Sequence, residues 1–523
     1  MARYANWVVA VAAATLWLGT VSTAQAADRC SELVHFAMPG LAIKITKTEM
    51  LPPGPAPQIP FQPVFRVTLP AYCHVEGVLD ERTGAGGRIY GVGFALALPE
   101  NWNGRFLFQG GGGMDGFLLP PLGPTAAGDT PALARGFAVA STDSGHRSTG
   151  GGFDASFLAD QKAAIDFEYA SIGTVTRLAK QVVAAYFGKP ASYSYFTGCS
   201  MGGREAMIAA QRYPLEFDGV ISGAPAMQVG FSGIGDRYVS ATLASLAPKG
   251  ADGTPDISKE FSDADRKLVI DGLLEACDKK DGIADGMIFD VGACKFDPAQ
   301  LACKTKKKTD RCLSAEQVAA IRKAFAGPKD SRGRQVYPGF YYDTGITAGG
   351  FVAGLLNVRP NPMGPPVFAT EIDVDADAEQ AENDPLAAIG DTAKWTNMSD
   401  FFGHGGKLIF FHGVSDPWFS AKDTVRYYER MAAANGGMDR VRTESSRLFL
   451  SPGMSHCGGG ALDNFDLLTS LVDWVEQGKA PDSVVAKGQA FPGRTRPLCP
   501  WPQHAQYLGD GDSEDAKNFS CRD

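Results

Sequence analysis

Residues 193–212 constrain the fold of this 523-residue chain more than any other stretch. An apolar, aromatic run, Tyr193–Thr197, enters Gly198-Cys199-Ser200-Met201-Gly202, and a helix-forming run, Glu205–Arg212, leaves it. In a chain with 62 Gly, a Gly-x-Ser-x-Gly pentapeptide says little alone. Its setting gives it meaning, because a strained strand-to-helix turn that exposes a serine hydroxyl needs small flanking residues. Further β-rich runs lie at Arg105–Phe108, Phe137–Ser141 and Gly219–Ser222, and Ile165–Tyr186 has helical spacing with Leu178, Val182 and Val183 on one face. That alternation predicts an α/β fold on a parallel sheet. The rhythm returns with a strand at Lys407–Phe411, a helix at Ala421–Ala434, a strand at Arg447–Leu450 and a helix near Phe465–Gln477.

The middle of the chain, 227–397, breaks the rhythm. Its helical pieces, Asp263–Glu275 and Ala315–Ala326, alternate with no strands, and it holds the basic run Lys304–Lys308 and acidic or Pro/Gly-rich stretches. It reads as an insertion that splits one α/β domain into 27–226 and 398–523. Residues 1–26 read as an export signal: Arg3, an apolar run from Trp7 to Val21, then Ala24-Gln25-Ala26 with cleavage after Ala26. The expected location is periplasmic or secreted, with no membrane span, where disulfides persist. Ten cysteines then suggest five bridges. Spacing favours Cys277 with Cys294, Cys303 with Cys312, Cys499 with Cys521 and Cys30 with Cys73, leaving Cys199 with Cys457, although sequence alone does not fix connectivity. A net charge of −9 argues against nucleic acid as a partner, and the ligand is expected to be small.

A serine hydroxyl near neutral pH needs a base to take its proton and a carboxylate to orient that base, in the chain order Ser, Asp/Glu, His. Among seven histidines, His456 follows the strand Leu448–Leu450 in a loop, and Asp416 follows Ile409–Phe411 in another. Ser200, Asp416 and His456 are therefore the candidate catalytic residues. Asp423 and Asp466 compete for the carboxylate role, but they fall within helical patterns and read as solvated; His412 precedes the carboxylate and reads as structural. Cys199 precedes Ser200 and Cys457 follows His456, so a bridge between them would bring both within reach. Thiolate chemistry at Cys199 is the rival reading. The oxyanion donors are expected from the amide of Met201 and from the glycine loop Gly110–Gly116.

Gly-Cys-Ser-Met-Gly-Gly-Arg-Glu at 198–205, His-Gly-Val-Ser-Asp at 412–416 and Ser-His-Cys at 455–457 resemble the tannase and feruloyl esterase family. The likeness extends to Asn101–Phe106, Ser141–His146 and Arg496–Pro500. It implies an α/β-hydrolase fold with a large inserted lid, Gly113 as the second oxyanion donor, and Phe419, with Trp418 beside it, against the substrate ring. It also implies a serine carboxylic ester hydrolase acting on esters of aromatic acids, with no organic cofactor. A narrower alternative, cleavage of a mono(2-hydroxyethyl) terephthalate half-ester, requires a lid arginine for the free carboxylate. The stretch 349–365 departs from that pattern, with Arg359 a substitute. A non-catalytic binding protein on this scaffold, or a peptidase, are the other readings. In the lid, 278–287 clusters three carboxylates with turn glycines, oxygen ligands that suit calcium. The resemblance favours a structural Ca²⁺ held by Asp278, Asp281 and Asp285 and by the carbonyls of Ile283 and Met287.

Overall fold

A computed structural model describes residues 23–59, 64–251, 253–357, 359–361, 364–365 and 368–523. Most of the expected export signal therefore lies outside the described residues; the helix Thr23–Glu32 includes Ala24-Gln25-Ala26. Nine strands form one sheet: β1 (Ile43–Leu51), β2 (Tyr72–Thr83), β3 (Ile89–Pro99), β4 (Arg105–Gln109), β5 (Ala138–Thr142), β6 (Tyr193–Cys199), β7 (Gly219–Gly223), β8 (Lys407–Gly413) and β9 (Ser446–Ser451). Their spatial order is β1-β2-β3-β5-β4-β6-β7-β8-β9. The first three are antiparallel, β5 joins β3 antiparallel, and from β5 onward every neighbour is parallel.

The apolar character of β4 to β9 follows from burial on both faces. Successive residues point to opposite sides. Phe106, Phe108, Phe196 and Phe410 pack into one cluster with Val175, Leu178 and Val182 of helix α1 (Ser171–Phe187). Leu107, Tyr195, Ile409 and Phe411 pack into the other with Leu467, Leu471 and Trp474. The chain steps from β4 outward to β5 and then back across β4 to β6. The carboxyl ends of β4 and β6, paired at Gln109 and Thr197, mark the place where the winding reverses, and such a switch point leaves a crevice for a ligand.

Three departures from the sequence reading have physical reasons. Strands β1 to β3 were not anticipated: β1 is half exposed, and glycines interrupt β3, where a Cβ on Gly93 would lie 2.3 Å from the Asp143 carboxylate. The helix expected over Ile165–Tyr186 is interrupted, because Asp166–Ala170 form a wider π-turn before α1. Phe465 belongs to a two-residue strand, and the helix that follows it is Leu467–Gln477.

Between β7 and β8 the chain makes a long excursion, and none of its described residues joins the nine-stranded sheet. It contains α3 (Val229–Ala244), α4 (Asp263–Cys277) and α5 (Ala315–Ala326) around Val239, Leu243, Leu273, Ile321 and Phe325, a cluster that reaches Val414 just beyond β8. Helix α3 escaped the sequence reading because three glycines dilute its pattern. Ten cysteines form five bridges: Cys30–Cys73, Cys199–Cys457, Cys277–Cys294, Cys303–Cys312 and Cys499–Cys521.

Helix α2 (Met201–Arg212) lies so close to β7 that a Cβ on Gly203 would sit 2.2 Å from the Gly223 carbonyl oxygen. Backbone cannot yield as a side chain does, so Gly203→Ala should destabilise by about 1–3 kcal/mol in urea unfolding. Gly233→Ala, with open space around it, should not. Equal midpoints for the two variants would contradict this packing.

Candidate active site

Ser200 stands between β6 and α2 at φ 65°, ψ −124°, a conformation that side chains avoid. Such strain amounts to about 1–3 kcal/mol and persists only where neighbours enforce it. Here the Ser200 N–H donates to the Gly223 carbonyl at 3.0 Å, and its own carbonyl accepts from the N–H groups of Arg204 and Ala226 at 3.0 and 3.1 Å. Both pentapeptide glycines are required by contact: a Cβ on Gly198 would meet the Gly202 oxygen at 2.2 Å, and one on Gly202 the Gly111 oxygen at 2.6 Å. The second contact seats the loop 110–116 against the start of α2.

That loop is fastened from below. The N–H of Gly110 donates to Thr197 O at 2.9 Å and that of Gly111 to Glu205 Oε2 at 2.9 Å. Gly113 has φ +61°, and any Cβ there would lie 2.3 Å from the Gly152 oxygen. Under the loop, Ser144 Oγ is 3.0 Å from Asp115 Oδ2 and 2.9 Å from Glu205 Oε1, both buried carboxyls. Burial, with the adjoining Glu205, holds Asp115 well above the usual carboxylate range, and burial raises Glu205 as well. The amide of Met201 opens α2, where N–H groups lack intrahelical partners and the helix dipole favours negative charge.

Across the sheet, the loop after β8 presents Asp416 and the loop after β9 presents His456. Asp416 Oδ2 lies 2.7 Å from His456 Nδ1 and 3.3 Å from His412 Nε2, and Oδ1 accepts the N–H groups of Trp418 and Phe419 at 2.9 and 3.1 Å. Burial alone would raise this carboxyl, but the two imidazoles outweigh it and hold it well below its ordinary range. Asp416 is therefore a buried carboxylate kept charged, as an orienter of an imidazole must be. His412 reaches that carboxylate while its other nitrogen meets Thr424 Oγ1 at 2.9 Å, a contact that chain order alone does not reveal. Asp423 is not solvated as its helical position suggested: it is buried and accepts from Gln228 Nε2 at 2.8 Å. Asp466 caps Leu467–Gln477 and pairs with Arg135.

The Cys199–Cys457 bridge joins positions 258 apart at a Cα separation of 5.9 Å, directly beside Ser200 and His456. The rings of Trp418 and Phe419 lie 4.7 and 5.2 Å from the His456 ring. Asp343, from the excursion, accepts Ser415 Oγ at 2.6 Å and the Gly453 N–H at 2.7 Å, tying both loops to one buried carboxyl. Arg359 pairs with Glu260 at 3.3 Å.

Asp278, Asp281 and Asp285 lie in one turn, and each accepts backbone N–H groups. Asp285 also takes Arg496 Nη2 at 2.5 Å. Burial, and then the neighbouring carboxylates of Asp285 and Asp278, push Asp281 up to about 7, a repulsion that a cation would relieve. Among the described residues, however, no three His, Cys, Asp or Glu side chains already gather as a metal-ligand set.

Residues 73–362 and 367–522 match the family described as tannase and feruloyl esterase. The chain is 38% identical over 520 residues to the mono(2-hydroxyethyl) terephthalate hydrolase of Piscinibacter sakaiensis, covering 87% of this chain and 85% of that one. It is 30% identical over 457 residues to a probable feruloyl esterase of Arthroderma benhamiae, covering 82% and 81%. Feruloyl esterase B of Aspergillus oryzae superposes with a TM-score of 0.76 at 23% identity, over 95% of this chain and all of that one, which supports the α/β-hydrolase fold. A strained serine between strand and helix, a buried Asp–His pair and a disulfide joining their flanks thus sit on the matching scaffold, and the chain belongs to the tannase and feruloyl esterase family of carboxylic ester hydrolases.

Proposed function

We propose that this chain is an exported serine esterase that cleaves esters of aromatic acids, of the feruloyl or galloyl kind, through an acyl-enzyme. The observation that carries the reading is the 2.7 Å Asp416–His456 contact, placed beside the strained Ser200 turn by the Cys199–Cys457 bridge. Ser200 Oγ attacks the ester carbonyl as His456 Nε2 takes its proton, and Asp416 holds the imidazole in the correct tautomer and stabilises its charge. The amides of Met201 and Gly113 receive the developing oxyanion. His456 then gives its proton to the departing alcohol, and water, activated by the same imidazole, releases the acid. Trp418 and Phe419 supply an aromatic wall for the acyl group.

In this reading 227–397 is the lid over a core formed by 27–226 and 398–523, and residues 1–26 direct export. Five disulfides support a location outside the reducing cytosol. Asp278, Asp281 and Asp285, with the carbonyls of Ile283 and Met287, hold a Ca²⁺ that fixes the lid turn.

Three outcomes follow. Purified protein should hydrolyse methyl ferulate or methyl gallate, with Ser200→Ala lowering kcat by about 10³-fold or more; unchanged turnover in the variant would overturn the mechanism, while exclusive action on a terephthalate half-ester or a peptide amide would overturn the substrate class. Cys199→Ser with Cys457→Ser should lower kcat at least about tenfold while the folded protein persists, because a small misplacement of the base is sufficient to slow catalysis. Full activity in that double variant would mean that the bridge positions nothing. Dialysis against a calcium chelator should lower Tm by a few degrees, restored by Ca²⁺ but not by Mg²⁺; an unmoved Tm would remove the metal.

A further inference from the structure

The loop that carries Asp416 is held by the excursion at both of its ends. At the start, Ser415 Oγ donates to Asp343 Oδ2 at 2.6 Å and accepts the Gly345 N–H at 2.9 Å. At the end, the Ser420 N–H donates to Tyr337 Oη at 3.0 Å, and Ser420 Oγ donates to the Gly339 carbonyl at 2.6 Å. Asp343 Oδ2 also accepts the Gly453 N–H at 2.7 Å, from the loop that carries His456. The Ser415 N–H in turn donates to the Met454 carbonyl at 3.0 Å, so residues 337–345 and the two catalytic loops form one connected set of hydrogen bonds. The packing is close: a Cβ on Gly345 would lie 2.7 Å from Ser415 Cβ. Tyr337, Asp343, Ser415 and Ser420 are each no more than 1% exposed, so bulk solvent does not compete for these bonds. Asp343 receives both loop contacts at Oδ2, while its Oδ1 is buried with no hydrogen-bond partner among the described residues. Burying a carboxyl is costly unless it is paired, and here both donors belong to the loops of the orienting carboxylate and the base.

We propose that Asp343 is a positioning residue for the reaction: through Ser415 and Gly453 it sets the separation between the Asp416 carboxylate and the His456 imidazole. The inference rests on the esterase reading above and adds a residue of the inserted segment to its machinery. Asp343 acts through the two loops and not on the reacting atoms. Residues 337–345 are then part of the catalytic framework, and this edge of the excursion stays in place during turnover. A misplacement of about 1 Å is enough to slow catalysis by about 10²-fold, so a modest slackening of either loop is felt in the chemical step.

The test measures kcat and KM on an ester that the wild-type protein turns over. Asp343→Ala should lower kcat about tenfold or more while KM stays within about threefold. Asp343→Asn should keep kcat within about twofold of wild type, because its amide oxygen still accepts from Ser415 and Gly453. Ser415→Ala removes the other end of one contact and should also lower kcat, and the double variant with Asp343→Ala should lose less than the two single losses combined. Ser314→Ala separates position from stability: it removes the N-cap of α5 in the same excursion, where Ser314 Oγ accepts the Gln317 N–H at 3.2 Å, and should lower Tm with kcat unchanged. Wild-type kcat in Asp343→Ala, a loss in Asp343→Asn as large as in Asp343→Ala, or an equal fall in Ser314→Ala would overturn the inference while leaving the esterase reading intact. If Asp343→Ala fails to fold, Ser415→Ala decides, and unchanged kcat there overturns the inference. Absence of ester turnover in the wild-type protein would overturn both readings together.

Discussion

A single covalent link sets the geometry on which the remaining chemistry depends. Strands β6 and β9 are separated in the sheet by β7 and β8, so the loops that carry Ser200 and His456 emerge roughly 14 Å apart at about 4.8 Å per strand. The Cys199–Cys457 bridge draws those loops together across the tops of β7 and β8 to a Cα separation of 5.9 Å. Closing so long a loop also constrains the unfolded chain, by on the order of 5 kcal/mol in the chain-entropy view. Its positional effect matters more: the residues it joins adjoin the proposed nucleophile and base, both on turns with little freedom. Ser200 and Cys457 each have positive φ, at 65° and 59°.

Around that clamp the protein buries several acids and treats them differently. Asp416 meets two imidazoles and stays charged. Asp115 and Glu205 share a serine hydroxyl under the loop 110–116, and burial holds both above the usual carboxylate range. Asp343 uses one oxygen to fasten the loops before Asp416 and before His456 to the excursion between β7 and β8. The difference is one of neighbours, since burial raises every one of these groups and only a nearby positive or hydrogen-bond-donating partner reverses the direction. The carboxyl whose neighbours lower it is the one that meets the imidazole, while the others serve as hydrogen-bond fasteners for the loops that surround it.

Much of this was legible in the sequence because the chemistry is written in local patterns. The pentapeptide glycines announce close approach, and any side chain at either position would clash with neighbouring backbone. The helix expected at about 421–434 is present as Ala421–Ala434, where Val425, Tyr428 and Ala432 are buried on one face and Ser420 caps the start. What escaped was set by tertiary contact. Strands β1 to β3 alternate or carry glycines whose purpose, room for Asp143 in the case of Gly93, appears only in three dimensions. The contact of His412 with Asp416, the reach of Asp343 and the burial of Asp423 likewise depend on elements distant in sequence. The acids at 278–285 were visible as a cluster, but the Arg496 partner of Asp285 lies more than 200 residues away.

The central claim is that Ser200 is an activated nucleophile served by His456. Treatment with an organophosphate ester followed by peptide mass spectrometry measures this most directly. The account predicts one stoichiometric phosphoryl adduct on the peptide containing Ser200, formed much more slowly in His456→Ala. An adduct on another residue, no adduct, or labelling at the same rate without the histidine would contradict it.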